Sequence, residues 1–507
     1  RSSMTRAFEI LSVYALIAVA VLLACWTPQN LTTASVYSKF NDILNADPYS
    51  AQVYYKSVAI GYNTNADLVV RAVSVLNKLG LKATPNSKSI ESVKSLQDFS
   101  DLVSRYMAHG SAVERVIVDA DLCSTIVDAA RATEGKELIG GNAALIALRM
   151  ADHTKVILAG SLSDELKKQL HTNVSLLEGQ AAPNPTEAHL ILEYAKGEKW
   201  GEIVAPRANR VIVHCDRTNA ELKTMKSFHQ LVNLPPRTLK KDQVELEENQ
   251  RGKKGSRADL LVLSGLHLLD QEPSSIQKQK LEELLQVVDH ATQLDASIPV
   301  HLELASVGNL AYISLLGNKV VPNVNSLGLN EQELGFLYFA LTHTASDFSS
   351  AAEFSSAAAQ YVERLFRDPS PELVLEALSE LFSLPFAHNE RKLDRVHFHS
   401  LKFHIIATRT GSNWQNSAAG VIRGSLAASV HACGFDRDLP FDISRVDFLA
   451  DSHARSLFTK LPLHTTSEGE IDFAIAPVLV CKNPKSTVGL GDAISASGLL
   501  HHKFASK

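Results

Sequence analysis

Residues 486–495 read Ser486-Thr487-Val488-Gly489-Leu490-Gly491-Asp492-Ala493-Ile494-Ser495 and follow the short apolar run 477–480. Two glycines allow the backbone to approach an anion closely, and the N–H groups at the start of a helix point toward it. Asp492 would then lie beside the anion, where a carboxylate can accept a proton. The segment therefore predicts a strand, a phosphate-binding turn and a helix, although an ordinary strand-to-helix turn would have the same pattern.

The preceding chain repeats the alternation of short apolar runs with longer helical stretches. Segments 281–288 and 371–378 have the period of amphipathic crossover helices. The predicted strands are 211–214, 260–265, 300–303, 320–323, 403–407 and 478–480. Several of them are apolar throughout, as expected for parallel strands that are covered on both faces. This order predicts an α/β protein whose ligands bind beyond the carboxyl ends of the strands.

Composition and charge restrict the classes of partner. The chain has 507 residues, of which 45% are hydrophobic and 21% charged, so it is long enough for more than one globular core. Its 50 Lys and Arg against 55 Asp and Glu give a formal net charge of −5, which provides no positive field for nucleic acid. A ligand that carries phosphate must therefore be bound by local groups.

Cysteines suggest no scaffold. The chain has five, too few for a disulfide framework, and none forms a C-x-x-C pair that would indicate structural zinc or a redox motif. Cys433 and Cys481 could pair in an oxidising compartment, with buried free thiols as the default expectation. The sequence leaves the two alternatives open.

The N-terminal region has the features of a targeting segment. An apolar, nearly uncharged run from Ile10 to Trp26 follows Arg6 and precedes Pro28. Residues 1–28 are therefore predicted to be a signal peptide or a membrane anchor, with a buried core helix as the alternative. Either targeting segment would send the chain to the secretory lumen, most simply the endoplasmic reticulum, with secretion or a membrane tether as variants. Sequons at Asn30 and Asn173 agree with that compartment, although such tripeptides also arise by chance.

Polar pairs and one cation stand near predicted strands. Asn65 and Asp67 lie two residues apart, so on a strand they share one face, as binding of adjacent sugar hydroxyls requires. An Asx-rich turn is the alternative interpretation. Arg210 precedes the strand 211–214, and its planar fork could bind a terminal phosphate or form a surface salt bridge.

A second group of residues suggests a cation site. His301 and Glu303 share one face at a strand end, and Asn330 and Glu333 are one helical turn apart. Oxygen ligands without a second nearby His or Cys favour magnesium over zinc. The alternative for the first pair is a core histidine with a surface glutamate.

Three histidines occur close together, but their surroundings predict packing. Because strand alternation and flanking apolar residues fit a core better than a metal site, we exclude this cluster from the candidate site. The cluster consists of His397, His399 and His404.

The segment 487–492 resembles the C-terminal signature of the ADP-dependent glucokinase and phosphofructokinase family, within the ribokinase-like superfamily of sugar kinases. Further segments similar to this family's pattern follow one another in the same order along the chain. They are Tyr62-Asn63-Thr64-Asn65-Ala66-Asp67, Gly110-Ser111-Ala112-Val113-Glu114-Arg115, Gly140-Gly141-Asn142-Ala143, His189-Leu190-Ile191-Leu192-Glu193-Tyr194, Ala205-Pro206-Arg207-Ala208-Asn209-Arg210, His301-Leu302-Glu303 and Asn330-Glu331-Gln332-Glu333. Collinear matches of this number are hard to obtain by chance.

The resemblance implies a fold and a division of the chain. Residues 45–507 would form the kinase domain, with a ribokinase-like, mostly parallel central sheet flanked by helices. A smaller, discontinuous α/β lid would be built roughly from 58–84, 140–153 and 178–214. We expect the lid to cover the site within one chain, so a monomer is the default.

The resemblance also implies roles for individual residues. The glucose pocket would be lined by Asn65, Asp67, Glu114, Gly140, Gly141 and His189. Catalysis would rest on Asp492, Arg210, Gly489 and Gly491, and nucleotide binding on Thr487, Val488 and Gly489. Magnesium would be placed by Glu303, Glu333 and Asp492. Glu114 distinguishes the branches, because the glucokinases bind glucose with a glutamate there and the phosphofructokinases have a small residue.

The implied reaction is transfer of the β-phosphoryl group of ADP to D-glucose, with Asp492 as the base, giving glucose 6-phosphate and AMP. The preference for ADP rests on the resemblance alone. Three alternatives remain: a sugar kinase that uses ATP or is of the phosphofructokinase type, a catalytically silent luminal protein that binds sugar or nucleotide, and a membrane-tethered structural protein.

Overall fold

The computed structural model describes residues 32–505 apart from 48, 86, 88–89, 91, 179–187, 217–227, 229–257, 295–296, 306, 308, 344–345, 347, 385–392, 436–440, 449–463, 469 and 486–487. The predicted signal peptide or anchor at 1–28 lies outside the described residues, as does Thr487 of the predicted nucleotide site. Within the described part, no helix combines the length and apolar character needed to cross a membrane.

Short strands occur along the whole described chain. They are β1 Ser57–Gly61, β2 Asn65–Arg71, β3 Val113–Val116, β4 Lys136–Gly140, β5 Lys155–Gly160, β6 Val174–Glu178, β7 His189–Tyr194, β8 Lys199–Trp200, β9 Ile203–Val204, β10 Asn209–His214, β11 Leu260–Leu263, β12 Val300–Glu303, β13 Ser326–Asn330, β14 Arg395–His399, β15 Phe403–Arg409, β16 Trp414–Gln415, β17 Val446–Phe448, β18 His464–Glu468, β19 Ile471–Pro477, β20 Leu479–Cys481 and β21 Lys503–Phe504.

Helices separate most of these strands. They are α1 Thr33–Ala46, α2 Ala72–Lys78, α3 Leu96–His109, α4 Ala120–Arg131, α5 Asn142–Met150, α6 Asp164–Lys167, α7 Ser274–Leu294, α8 Leu310–Lys319, α9 Glu331–Thr342, α10 Ala351–Leu365, α11 Pro371–Ser383, α12 Ser417–Cys433 and α13 Leu490–Leu500. Among the described residues, 3₁₀ turns also occur at Leu266–Leu269, Val321–Asn323 and Ile443–Arg445.

The larger sheet has ten strands in the order β18-β19-β15-β14-β13-β12-β11-β1-β5-β6. The strands from β14 to β6 pair in parallel, whereas β15, β19 and β18 continue the sheet in antiparallel pairs. Helices cover both faces of the sheet, so the apolar side chains on both sides of β1 are buried. Val58 and Ile60 lie in one hydrophobic core and Ala59 in the core on the opposite face. This arrangement confirms the predicted α/β class with a mostly parallel sheet.

The smaller sheet has the order β3-β10-β7-β2-β4 and its own hydrophobic core. It differs in extent from the ranges expected for the lid, 58–84, 140–153 and 178–214. β1 belongs to the larger sheet, α5 packs against that sheet, and β3 joins the smaller sheet although it falls outside all three ranges. Strand patterns are local, whereas membership of a sheet depends on pairing between distant segments.

Strand bounds follow the predictions at most positions. The predicted strand 300–303 coincides with β12, and 211–214, 260–265 and 403–407 overlap β10, β11 and β15. The prediction of a strand at 320–323 is wrong, because these residues form the 3₁₀ turn Val321–Asn323. Pro322 has no N–H for a strand ladder and its fixed φ suits the start of a helical turn.

Two disulfides join distant parts of the chain. Cys433 is bonded to Cys481, so the default expectation of free thiols at this pair is wrong. Cys123 on α4 is bonded to Cys215, directly after β10. The sequence offered no signal for this second bond, because 92 residues separate its cysteines.

Candidate active site

The chain passes between the two sheets after β1 and after β4, and several predicted site residues lie at these crossings. One crossing leads from the end of β1 through Asn63 and Thr64 to β2, and another from β4 through Gly141 to α5. The two crossings touch, since Ala144 N donates to Asn63 O at 3.2 Å. Gly141 has a φ of 90°, and a Cβ there would lie 2.6 Å from the Asn63 carbonyl oxygen. Glycine at 141 is therefore required by both conformation and close contact.

Asn65 and Asp67 lie on one face of β2, as the spacing predicted. Asn65 Nδ2 donates to Asp67 Oδ1 at 2.6 Å, and both side chains are buried. Burial raises the pKa of Asp67 to about 6, and the charge of nearby His189 opposes that rise. Gly140 pairs with Asn65 on β4, and a Cβ at 140 would overlap the Asp67 carboxylate. The absence of a side chain at 140 thus leaves room for this carboxylate.

Glu114 and His189 come together on the smaller sheet with two residues that the sequence did not single out. His189 Nδ1 lies 3.5 Å from Glu114 Oε1, and His189 Nε2 lies 3.2 Å from Asp216 Oδ2. His214 Nε2 lies 3.7 Å from the same Glu114 oxygen, and its ring stacks on His189 with centroids 4.3 Å apart. We call these four residues the histidine–carboxylate cluster.

The charges in this cluster are unequal. Burial disfavours the charged form of His189, but its contacts with Asp216 and Glu114 raise its pKa to about 10. Burial and the neighbouring His189 charge lower the pKa of His214 to about 4. Burial also acts against ionisation of Glu114, yet the hydrogen bond from His189 and the histidine charges lower its pKa overall. The cluster therefore holds a charged His189 between two carboxylates, beside a neutral His214.

Arg210 lies within β10 and is half-buried. Its guanidinium interacts electrostatically with Glu114, Glu193 and Asp67 on the smaller sheet, and with Asp492 on α13. Burial lowers its pKa, while these carboxylates favour its charge. This cation therefore lies among carboxylates from both parts of the site.

The predicted glycine-rich turn forms the start of α13, which packs against α5 and α12. Gly489 is the N-cap with a φ of 70°, and a Cβ there would lie 2.9 Å from Leu145 Cδ1. Asp492 lies in the first helical turn and accepts a hydrogen bond from Asn142 Nδ2 at 3.0 Å. Burial and the charge of Glu303 raise the pKa of Asp492 to about 7. A carboxyl group with this pKa is suited to exchange a proton near neutral pH.

Glu303 ends β12 and is held on both oxygens. Its Oε2 lies 3.0 Å from His301 Nε2, and its Oε1 accepts a hydrogen bond from Ser495 Oγ at 2.9 Å. His399 Nε2 lies 3.5 Å from Oε1. Burial raises the pKa of Glu303, but the hydrogen bonds and charges of His301 and His399 outweigh it and lower the pKa to about 2. The alternative of a surface glutamate beside a core histidine is therefore excluded.

A buried series of hydrogen bonds fixes the ring of His301. Arg395 Nη1 donates to Ser326 Oγ at 2.7 Å, and Ser326 Oγ lies 2.8 Å from His301 Nδ1. Because the ionised Glu303 carboxylate can only accept, the proton of neutral His301 is on Nε2 and is donated to Glu303. His301 Nδ1 then accepts the Ser326 hydroxyl proton, while Arg395 donates to a lone pair of Ser326 Oγ.

Glu333 has a structural task that the sequence did not reveal. Asn330 is the N-cap of α9 and donates to both carboxylate oxygens of Glu333. Its backbone N donates to Oε2 and its Nδ2 to Oε1, each at 2.9 Å. Burial raises the pKa of Glu333 well above its ordinary value, and the charges of Glu303 and Asp492 add to the rise. In the described part of the chain, no group of three His, Cys, Asp or Glu residues is arranged to hold a metal directly.

Comparison with known proteins identifies the family of this chain. The family described as the ADP-specific phosphofructokinase/glucokinase conserved region matches residues 56–501. The chain belongs to this family. An ADP-dependent glucokinase from Bos taurus is 33% identical over 463 residues, which cover 88% of this chain and 84% of that protein. A probable ADP-dependent glucokinase from Caenorhabditis elegans is 28% identical over 506 residues, or 92% of each chain.

Solved structures of other family members share the fold. An ADP-dependent kinase in complex with fructose-6-phosphate and ADPβS superposes with a TM-score of 0.61 at 20% identity, covering 92% of this chain and 97% of that one. A hypothetical ADP-dependent phosphofructokinase from Pyrococcus horikoshii gives a TM-score of 0.58 at 18% identity, covering 89% of this chain and 98% of that one. These values establish the fold of the ADP-specific kinases for this chain.

Most residues that the sequence singled out for the family site lie either around Asp67 and Glu114 on the smaller sheet or around the start of α13. Five further residues in contact with them were missed: Asn142, His214, Asp216, His399 and Ser495. His399 had been set aside with the packing histidines, yet its ring faces Glu303 and lies 3.1 Å from where a Gly491 Cβ would be. The alternation along 397–399 correctly predicted that the His399 side chain faces the interior, but it could not show that Glu303 lies against it.

Proposed function

We propose that this chain phosphorylates D-glucose with ADP, giving glucose 6-phosphate and AMP. The observation that carries the proposal is the position of Arg210. This half-buried cation interacts with Glu114 and Asp67 on the smaller sheet and with Asp492 at the start of α13. A sugar between the two groups would have its reacting hydroxyl near both the base and the cation.

The polar residues of the smaller sheet fit a sugar with several free hydroxyls. Asp67 and Glu114 supply acceptors, and Asn65 supplies an amide group on the same face as Asp67. Hydrogen bonds to buried groups reject analogues that lack the matching hydroxyl, because the protein groups are then left unpaired. Glu114 supports glucose over fructose 6-phosphate, since an ionised carboxylate beside the sugar would repel a second phosphate.

The start of α13 supplies the transfer chemistry. In the proposed reaction, Asp492 accepts the proton of the glucose 6-hydroxyl as its oxygen forms a bond to the β-phosphorus of ADP. The bond from that phosphorus to the bridging oxygen breaks, and AMP leaves. The N–H groups that follow Gly489 and Gly491, together with Arg210, stabilise the charge of the transferring group. Val488 and Thr487 precede this turn and are proposed to contact the nucleotide.

Glu303, Glu333 and Asp492 fit a divalent cation that is held mainly through water. Burial, together with the charge of Glu303, raises the pKa values of Glu333 and Asp492, and a bound cation would favour the ionised form of both. The oxygens of Glu303 and Glu333 already accept hydrogen bonds from protein groups, which favours contact through water for these two. Magnesium, the expected cation, would neutralise phosphate charge.

We also propose the secretory lumen, most simply the endoplasmic reticulum, as the compartment. Two disulfides among the described residues support an oxidising environment, because thiols stay reduced in the cytosol. Asn173 is an exposed residue, although its Nδ2, the atom that would carry an oligosaccharide, donates to Ala151 O at 2.8 Å. The signal peptide or anchor at 1–28 and the monomeric state remain parts of this proposal.

The proposal is tested by combining two phosphoryl acceptors with two phosphoryl donors. The full chain is assayed with magnesium and with glucose or fructose 6-phosphate, each in the presence of ADP or ATP. We expect the highest kcat/KM with glucose and ADP. Equal use of fructose 6-phosphate would place the chain with the phosphofructokinases, and use of ATP alone would remove the assignment of the donor. If no pair reacts while glucose still binds, the silent binding protein becomes the better interpretation.

A further inference from the structure

We propose that the Cys123–Cys215 disulfide is a positioning element of the sugar pocket. It holds the segment that follows β10, so that His214 and Asp216, the two neighbours of Cys215, keep His189 and Glu114 in place. The inference rests on the proposed function, because it assigns His189 and Glu114 to glucose binding.

The disulfide restrains the chain just beyond the end of β10, where strand pairing stops. β10 pairs with β3 up to His214 and Val116, and Ile117 N donates to His214 O at 2.7 Å just beyond. Cys215 and Asp216 come after the last residue of β10 and are not members of its ladder. The bond to Cys123 therefore fixes the chain at the point where pairing ends.

The other cysteine of the disulfide lies on a helix that is packed in the core of the smaller sheet. Cys123 is fully buried on α4, and Ile126 and Val127 of the same helix lie in the core of the smaller sheet. Asp119 caps this helix by accepting a hydrogen bond from Leu122 N at 2.7 Å. A bond to such a helix restrains Cys215 relative to the sheet.

Both neighbours of Cys215 touch the sugar-binding side chains. Asp216 Oδ2 lies 3.2 Å from His189 Nε2, and the Asp216 side chain is 1% exposed. His214 stacks on His189 at 4.3 Å and lies 3.7 Å from Glu114 Oε1. Since a hydrogen bond needs a narrow range of distances and angles, a small shift of Cys215 would weaken the Asp216–His189 bond and displace the His214 ring at the same time.

These contacts decide how Glu114 is presented to a sugar. His189 places one ring nitrogen toward Asp216 and the other toward Glu114. Its ring orientation, and with it the position of the Glu114 carboxylate, therefore depends on Asp216. We assign Asp216 and the disulfide positioning roles, whereas Glu114 contacts the sugar.

The first experiment compares two single substitutions in the full chain. Cys123→Ser breaks this disulfide, and the matched control Cys433→Ser breaks the other one, which lies outside the smaller sheet. We expect Cys123→Ser to raise the KM for glucose about tenfold, with kcat changed by less than about twofold. The control is expected to leave the KM for glucose unchanged. A merely structural role would reduce the folded fraction and hence the apparent kcat, without a change in the KM for glucose.

A double-mutant cycle tests whether the disulfide acts through Asp216. Asp216→Asn keeps the bond and should raise the KM for glucose to a similar extent. Cys123→Ser combined with Asp216→Asn should then add little. Full additivity, or an unchanged KM in folded Cys123→Ser, would overturn the inference.

A binding measurement covers the case in which Cys123→Ser does not fold. Cys433→Ser/Cys481→Ser is treated with a dithiol, which reduces Cys123–Cys215 to two thiols and is itself oxidised to a disulfide. We expect the calorimetric Kd for glucose to rise about tenfold, and an unchanged Kd would refute the inference. Wild-type chain that binds glucose without phosphorylating it would instead refute the proposed function alone.

Discussion

Ser495 illustrates how a single hydroxyl is assigned a role by its contact. It lies on α13 one turn after Asp492, is 2% exposed, and donates to Glu303 Oε1 at 2.9 Å. Ser497, on the same helix, is also buried, but its Oγ accepts a hydrogen bond from Arg149 Nε at 3.1 Å. The two serines therefore form a matched pair that differs in its distance from the reacting groups.

We expect Ser495→Ala to lower kcat about tenfold, because hydrogen bonds to charged groups contribute ~1.5–3 kcal/mol. Ser497→Ala should keep kcat within about twofold. Steady-state kinetics with saturating glucose and ADP measure both, and thermal melting reports any loss of stability. Equal effects of the two substitutions would show that the Ser495 contact has no special part in catalysis.

At this scale, the sequence predicted residues whose spacing defines a shared face. Asn65 with Asp67 and His301 with Glu303 lie as expected, because a strand alternates its side chains. Asp216 could not be found in this way. Its partner His189 is on another strand, and only the pairing of β7 with β10 brings the two together.

The turn into α13 is the element on which the proposed transfer depends. Gly489 has a φ of 70°, and its missing Cβ leaves room for Leu145. Gly411 has a φ of 73°, and a Cβ there would meet nothing within 4 Å. Alanine at either position carries the same backbone strain, so the difference between the two variants reports the local contact.

Gly411→Ala is expected to cost about 1–2 kcal/mol of stability through the left-handed backbone, with kcat unchanged. Gly489→Ala should carry a similar strain and also displace the N–H groups of the turn, lowering kcat by about 10²-fold or more. Chemical denaturation and steady-state assays measure the two effects. Unchanged kcat in Gly489→Ala would remove the turn from the mechanism.

Elements were predictable where their pattern is local. β12 coincides with its prediction, because an apolar run between turn residues specifies a buried strand. Residues 320–323 have a similar apolar start, but Pro322 favours the 3₁₀ turn and the strand forms at Ser326–Asn330. The membership of β3 in the smaller sheet could not be predicted in this way, because β3 joins the sheet by pairing with β10, which lies far along the chain.

The whole molecule has buried histidines that link its stability to pH. His404 is fully buried, and burial lowers its pKa well below the ordinary value. Below a pH of about 6.5, the unfolded chain binds a proton at this histidine and the folded chain does not. Its contribution therefore makes the folded state less stable as the pH falls, by up to ~1.4 kcal/mol per pH unit.

His404→Leu should reduce the pH dependence of the unfolding free energy between pH 6 and 5 by up to ~1.4 kcal/mol per pH unit. Phe398→Leu, at a buried non-titrating neighbour, should leave that dependence unchanged. Denaturant titrations of the three proteins at several pH values provide the comparison. Parallel curves for the wild type and His404→Leu would contradict the assignment of a neutral, buried His404.

The central claim is that Asp492 accepts the glucose proton while ADP supplies the phosphoryl group. The most direct measurement follows AMP and glucose 6-phosphate together, in the wild type and in Asp492→Asn. We predict equal amounts of both products from the wild type. The variant should turn over about 10²–10⁴-fold more slowly and bind glucose with an affinity within about tenfold of the wild type. Wild-type turnover in Asp492→Asn, or AMP formed without glucose 6-phosphate, would contradict the claim.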